Sequence, residues 1–153
     1  MKKLLFAFFA LFVCAAGYAD DVPRGWTSDI NAAMETAKKE NRCILILFTG
    51  SDWCSWCKRL KADVLDGNSF KNAVKDSMVL VYFDFPVHKK ISPAQMTEQN
   101  RWVKKFGING FPTVVITDAD GNELGKISGY AQEAEYIRKL NALTGRKNPR
   151  QGW

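Results

Sequence analysis

At 153 residues the chain has the length of one domain, with enough material to bury a core without structural disulfides. Its composition, 46% hydrophobic and 25% charged, excludes collagen-like, low-complexity and repeat architectures, so function has to come from a local site. The formal net charge of +6 is scattered rather than gathered into a stripe; His88-Lys89-Lys90 and the basic tail from Arg146 to Arg150 read as a solvated loop and terminus, and no nucleic-acid partner is expected.

Residues 1–19 read as a secretory signal peptide. Met1-Lys2-Lys3 is a cationic start, Leu4 to Ala16 is an apolar run, and Gly17-Tyr18-Ala19 supplies the small residues of a cleavage site placed after Ala19. The apolar run is shorter than the roughly 20 residues that cross a bilayer, which argues against an uncleaved anchor. Val13 is not the small residue that a lipoprotein signal needs before Cys14. After cleavage no membrane span is expected, and the mature chain is expected to be an exported, periplasmic monomer whose charge, without Lys2 and Lys3, falls from +6 to +4.

In the mature chain Ile30, Ala33, Met34 and Ala37 recur at helical spacing over Asp29 to Asn41, with Thr27 or Ser28 as the cap. Cys43 to Phe48 (CILILF) is a continuous apolar run suited to a strand covered on both faces. Thr49-Gly50-Ser51-Asp52 turns the chain, and Cys54 to Leu65 reads as a helix with Cys57, Leu60 and Val64 on one side. Asp66-Gly67-Asn68 breaks it, Ser69 caps a short helix through Val74, and Met78 to Phe85 is a second central strand.

A loop from Pro86 to Ser92 leads into a helix over Pro93 to Phe106, ended by Gly107, with Trp102 and Phe106 on its buried face. Phe111 to Thr117 is a strand, Asp120-Gly121 a hairpin signal, and Glu123 to Tyr130 the antiparallel return. A helix over Gln132 to Leu143, stopped by Gly145, closes a domain spanning 20–145, and residues 146–153 form a loose tail. The pattern is α/β: parallel central strands ending in an antiparallel hairpin, with two cysteines where the first strand feeds its helix.

That position has chemical meaning. N–H groups at a helix start favour an anion, so a Cys54 thiolate there is expected to have a pKa lowered into the range of about 3.5 to 7.5. Cys57, one turn further in, is expected to be more buried. The pair reads as an attacker and a resolver.

The run CILILFTGSDWCSWCKRL, followed by GINGFPTVVITDADGNELGKISGY, resembles the thioredoxin family over nearly the whole mature chain, and within it the exported bacterial thioredoxin-like proteins. The resemblance implies the thioredoxin fold, a central mixed sheet flanked by helices, and thiol-disulfide exchange that needs no cofactor or metal. It makes Cys54 the nucleophile and Cys57 the resolving thiol. Pro112 matches a cis-proline that lies against the dithiol and docks substrate, Phe111 before it shapes substrate choice, Trp53 is the aromatic before the first cysteine, and Lys58 the basic residue after the second. Trp56 is expected to be a partly exposed contact.

One departure stands out. The family usually holds a buried acid six residues before the first cysteine; here that residue is Phe48, and the strand from Met78 to Phe85 lacks the lysine that often accompanies the acid. Proton movement at Cys57 then falls to water, Asp52 or another group.

Two other uses of the cysteine spacing compete. A zinc site wants about four ligands, and beyond the pair the mature chain offers Cys43, expected to be a core thiol, and His88, expected in an exposed loop. A local staple closes so short a loop that it stabilises by only about 2 kcal/mol. The leading expectation is therefore an exported oxidoreductase acting on protein thiol or disulfide clients, reducing direction favoured, with a further redox partner that recharges the dithiol. The alternative is a binding module that holds cysteine-bearing or metal-loaded clients without turnover.

Overall fold

The computed structural model describes residues 21–145; the signal peptide expected over 1–19 and the tail expected over 146–153 lie outside the described residues. Helix α1 (Ile30–Glu40) buries Ile30, Ala33 and Ala37, while Met34, the fourth residue that recurs in the sequence, is half-buried. Its cap is Asp29 rather than Thr27 or Ser28. The Asp29 carboxylate accepts from the N–H groups of Asn31 and Ala32 at 3.0 Å each, and the Thr27 hydroxyl is engaged by the Asp29 N–H instead. A carboxylate also suits the positive end of a helix better than a hydroxyl.

Strand β1 (Cys43–Thr49) is buried along its whole length. Side chains alternate across a strand, so an unbroken apolar run needs cover on both faces, and here both are covered. Strand β2 (Met78–Asp84) pairs parallel with β1, Cys43 opposite Met78 and Thr49 opposite Asp84. On the other side of β1 lies β3 (Thr113–Thr117), antiparallel, followed by β4 (Glu123–Ser128), also antiparallel, to give the order β2-β1-β3-β4. The expected mixed sheet is present, its parallel part being the β1–β2 pair.

The strand ends differ from the sequence reading for local reasons. β3 begins at Thr113 rather than Phe111 because Pro112 has no N–H to give to a ladder. β4 stops at Ser128 because Gly129, at φ 76°, turns the chain before Tyr130.

The helix expected over Cys54 to Leu65 is two segments. Helix α2 (Ser55–Leu60) starts after Cys54, which is its cap, and Lys61–Leu65 continues as a π-helical turn. Helix α3 (Asn68–Val74) is entered from Gly67, not Ser69, and buries Phe70 and Val74. Helix α4 (Pro93–Phe106) has the expected bounds, with the Ser92 side chain accepting from the Gln95 N–H at 3.1 Å and Gly107 in the left-handed conformation at its end. Helix α5 (Glu133–Gly145) runs slightly later than read.

The sheet separates two cores. On one face Leu45 and Leu47 of β1 meet Leu60, Val64, Phe70, Tyr136 and Leu140 from α2, the π turn, α3 and α5. On the other, Ile44, Ile46 and Phe48 meet Ile30, Phe83, Trp102 and Phe106, with α1 and α4 as cover. Truncating any one of these fully buried leucines or isoleucines to alanine costs about 2–5 kcal/mol. Trp102 and Phe106 are core residues as expected, and so is Cys43, a free thiol at the start of β1 whose pKa burial pushes up.

A contact with no sequence signal finishes the open side of β2. Thr27 bridges to it in parallel, its N–H donating to Leu80 O at 3.0 Å and its carbonyl accepting from Tyr82 N at 2.8 Å. Among the described residues no helix is long and apolar enough to cross a membrane.

Candidate active site

β1 ends at Thr49 and β3 opens at Thr113 opposite Phe48, so the dithiol turn and the Phe111-Pro112 segment emerge at the same end of the sheet. Cys54 and Cys57 are joined in a disulfide, with S–S 2.20 Å and Cα–Cα 5.2 Å. Cys54 caps α2 with its sulfur: Sγ accepts the Cys57 N–H at 3.2 Å, and its own N–H donates to Gly50 O at 2.9 Å. An anion left on Sγ after the bond opens would face that same N–H. In the disulfide the expected difference in burial is small, with Cys54 7% exposed and Cys57 4%.

Two aromatic groups flank the pair. On one side the Trp53 indole folds back across Gly50, where a Cβ would come within 2.5 Å of the ring, so only glycine allows this approach. Trp53 Nε1 donates to Phe85 O at 2.8 Å, and its ring meets Phe111 edge-on at 6.0 Å; Phe111 in turn stacks on Phe85 at 5.1 Å. The Phe111–Pro112 peptide bond is cis, as the resemblance implies, Pro112 is buried, and its carbonyl accepts from Gly129 N at 2.8 Å.

On the other side Trp56 lies 5.5 Å from the Tyr130 ring, and the Arg59 guanidinium sits over both rings at 5.7 and 5.1 Å. Asp63 ties this group together, accepting from Tyr130 OH at 2.8 Å and from Arg59 Nε at 3.3 Å. The hydrogen bond to Asp63 raises the Tyr130 pKa. Trp56 is exposed, at 55%, rather than the partly exposed contact that was expected, and its stacking on Tyr130 and Arg59 was not read from the sequence. The i,i+4 spacing of Arg59 and Asp63 was the signal available for part of it.

Carboxylates hold the turn between the aromatic groups. Asp52 accepts the backbone N–H groups of Val87, His88 and Lys89 at 3.0, 2.6 and 3.2 Å, which fastens the loop after β2 to the dithiol turn. Burial pushes the Asp52 carboxyl up, but these N–H bonds outweigh it and leave the pKa below the usual 3.8. Lys58, the basic residue after the second cysteine, donates from Nζ to Asp52 O at 2.9 Å. Ser51 is held by Asp84, the last residue of β2.

Phe48 does not face α2. Strand alternation puts it in the core under α1 and α4, edge-on to Phe83 at 5.5 Å and Phe106 at 6.4 Å. His88 is exposed, and its backbone N–H joins the site by donating to Asp52. Among the described residues no group of three or more His, Cys, Asp or Glu side chains is placed to hold a metal ion.

Residues 30–144 match the family model of the thioredoxin-like domain, and the chain belongs to that family. It is 33% identical over 113 residues to the disulfide bond reductase DsbH of Chlamydia pneumoniae, the match covering 72% of this chain and 67% of that protein. The solved structure of a DsbH oxidoreductase superimposes with a TM-score of 0.69 at 28% identity, covering 75% of this chain and 81% of the other. The C-terminal domain of Neisseria meningitidis DsbD in its reduced form gives 0.60 at 25% identity, covering 76% and 97%. The chain is thus a homologue of the Dsb thiol-disulfide oxidoreductases, with its own cysteine pair at disulfide distance.

Proposed function

We propose that this member of the thioredoxin-like family is an exported oxidoreductase that reduces disulfides in protein clients through Cys54 and Cys57. The observation that carries the reading is the closed Cys54–Cys57 disulfide, set at the cap of α2 among exposed apolar side chains. Among the described residues the exposed large hydrophobics are Trp53, Trp56 and Val87, and all three belong to the dithiol turn, its helix or the loop fastened to it through Asp52. An apolar surface concentrated around a redox pair suits a folded or extended polypeptide better than a small thiol.

In the reduced enzyme the Cys54 thiolate attacks a client disulfide, forming a mixed disulfide and releasing one client thiolate. The Cys57 sulfur, as thiolate, then attacks Cys54 Sγ, closing the enzyme disulfide and expelling the second client thiolate. Two electrons and two protons pass from enzyme to client in sum, and a reducing partner must restore the dithiol. Trp53, Trp56, Phe111 and Pro112 line the place where the client chain docks. The reducing direction is supported by the likeness to a disulfide bond reductase, and export by the signal-like residues 1–19.

A holder that grips clients without turnover is the competing reading, and the intact cysteine pair weighs against it. Reduction of insulin by dithiothreitol separates the two, since the enzyme accelerates precipitation of the insulin B chain and a holder does not. Cys54→Ser is expected to abolish the acceleration, because a hydroxyl is not ionised near neutral pH. Cys57→Ser is expected to accumulate client adducts that dithiothreitol releases. Adducts on Cys54→Ser instead would reverse the two roles, and no rate change in either variant would remove the enzyme reading.

A further inference from the structure

We infer that Asp84 is a positioning residue for the dithiol, clamping the Ser51–Cys54 turn from the sheet side and holding a negative charge beside it. The inference deepens the proposed redox function and rests on it. Asp84 ends β2 opposite Thr49, the last residue of β1. Leu80 and Tyr82, four and two residues before it, pack with the core that contains α2, so strand alternation turns Asp84 toward the same face as the dithiol helix.

Both carboxylate oxygens are used on one residue. Oδ1 accepts the Ser51 backbone N–H at 2.8 Å, and Oδ2 accepts the Ser51 hydroxyl. Ser51 follows Gly50, whose carbonyl receives the Cys54 N–H, so a shift of Ser51 is passed directly to the first cysteine. Phe48 and Phe83 fill the opposite face with aromatic rings, leaving Asp84 as the carboxylate that reaches the turn from the sheet.

The surrounding charges offset it only in part. Lys58 donates to the Asp52 carbonyl, and the Asp52 carboxylate faces the loop at 87–89. Lys89 pairs first with Asp21 and interacts more weakly with Asp84, and burial, with Asp84 adding to it, raises the pKa of Tyr82. A fixed negative charge near Cys54 opposes its thiolate and so disfavours the reduced, ionised form. Asp84 would thereby make the dithiol more reducing than the same turn without the charge.

Asp84→Asn tests this with little change of shape. The amide oxygen still accepts the Ser51 N–H, and its NH₂ can donate to the Ser51 hydroxyl once that group rotates, so the contacts persist while the charge goes. The readout is the equilibrium in which the enzyme disulfide and two glutathione thiols give the enzyme dithiol and one glutathione disulfide, together with the apparent pKa of Cys54 from thiolate absorbance. Asp84→Asn is expected to lower that pKa and shift the equilibrium about three- to tenfold toward the dithiol, about 14 to 30 mV more oxidising. Asp84→Glu, which keeps the charge, is expected to return within about twofold of the unmodified chain.

The inference is overturned if folded Asp84→Asn leaves both quantities unchanged or moves them the other way, even where its melting temperature falls. Should Asp84→Asn fail to fold, Asp84→Ser is read instead. It also removes the charge and is expected to move both quantities in the same sense, and no movement equally overturns the inference. If the unmodified dithiol does not exchange with glutathione at all, the proposed function itself fails, a result distinguishable from the failure of Asp84 alone.

Discussion

Phe48 and Phe83 stand directly opposite each other on the parallel strands β1 and β2, both fully buried, with ring centroids 5.5 Å apart at 72°. The family resemblance implies an acid at Phe48. The chain instead has an edge-to-face aromatic pair, closed from beyond by Phe106.

Restoring an acid there is therefore expected to damage the fold more than it helps the chemistry. Phe48→Asp places a carboxyl among Phe83, Phe106 and Val81, at a cost of about 3–5 kcal/mol from lost packing and desolvation. Burial would raise its folded pKa above the unfolded value of about 3.9, so the native state binds the proton more tightly. The penalty is then smallest below about pH 4 and grows as pH rises toward the folded pKa. Urea midpoints relative to the unmodified chain, compared at pH 4 and pH 7, check this; an equal deficit at both would show that the carboxyl had reached water.

Asp52 gives a pH dependence of opposite sign. Its folded pKa lies below 3.8, so the tether to Val87, His88 and Lys89 is fully present above that value and is lost as pH falls through the folded pKa. Asp52→Asn is expected to weaken the tether at every pH, because the amide keeps one acceptor oxygen where the carboxylate had two. Amide hydrogen exchange at 87–89 is the measurement: faster in the variant at pH 6 after correction for intrinsic rates, with the difference from the unmodified chain narrowing near pH 3.

The aromatic side chains that flank the dithiol should matter for large clients and little for small ones. Trp53→Ala and Trp56→Ala are each expected to reduce the rate with a protein disulfide about tenfold, the loss of one buried aromatic contact of about 1.4 kcal/mol. The rate with glutathione disulfide should change less than about threefold. Equal losses with both substrates would assign the tryptophans to the thiol chemistry rather than to docking. Trp53 carries the added hydrogen bond to Phe85 O, so its variant is also expected to loosen the loop after β2.

Cys43 is expected to be silent in this chemistry. It is 7% exposed, in the core under α2, α3 and α5, and burial pushes its thiol pKa above the usual 9.0, so almost no thiolate exists at neutral pH. Mass spectrometry of the folded, oxidised chain from Asp20 onward after iodoacetamide at pH 7.5 should show no adduct, and one adduct should appear after unfolding in urea without reductant. Labelling of the folded protein at Cys43 would place that thiol in exchange with solvent.

Much of the fold was legible because its elements announce themselves locally. CILILF requires cover on both faces, Ser92 and Pro93 start α4 where Gly107 ends it, and the alternation from helical to strand spacing orders the rest. The pair Cys54-Cys57 was legible for the same reason, since a short spacing after a buried strand is a property of the chain itself. What was misread lay at junctions, where a single residue's own chemistry or a local change of winding sets the boundary: Asp29 takes the cap from Thr27 and Ser28, Pro112 denies β3 its first residues, and the π turn at Lys61–Leu65 interrupts an otherwise helical pattern.

By itself, then, the sequence determined the order of elements, the redox-capable pair and the absence of an acid at Phe48. Only the tertiary structure decided what surrounds that pair. Ser51 and Asp84 are separated by 33 positions, Asp52 and His88 by 36, and Asp63 and Tyr130 by 67, and no local pattern couples residues so far apart. They meet because β2 lies parallel to β1 and β4 returns antiparallel beside β3. That pairing delivers a carboxylate, a loop and an aromatic ring to the one end of the sheet where Cys54 caps its helix.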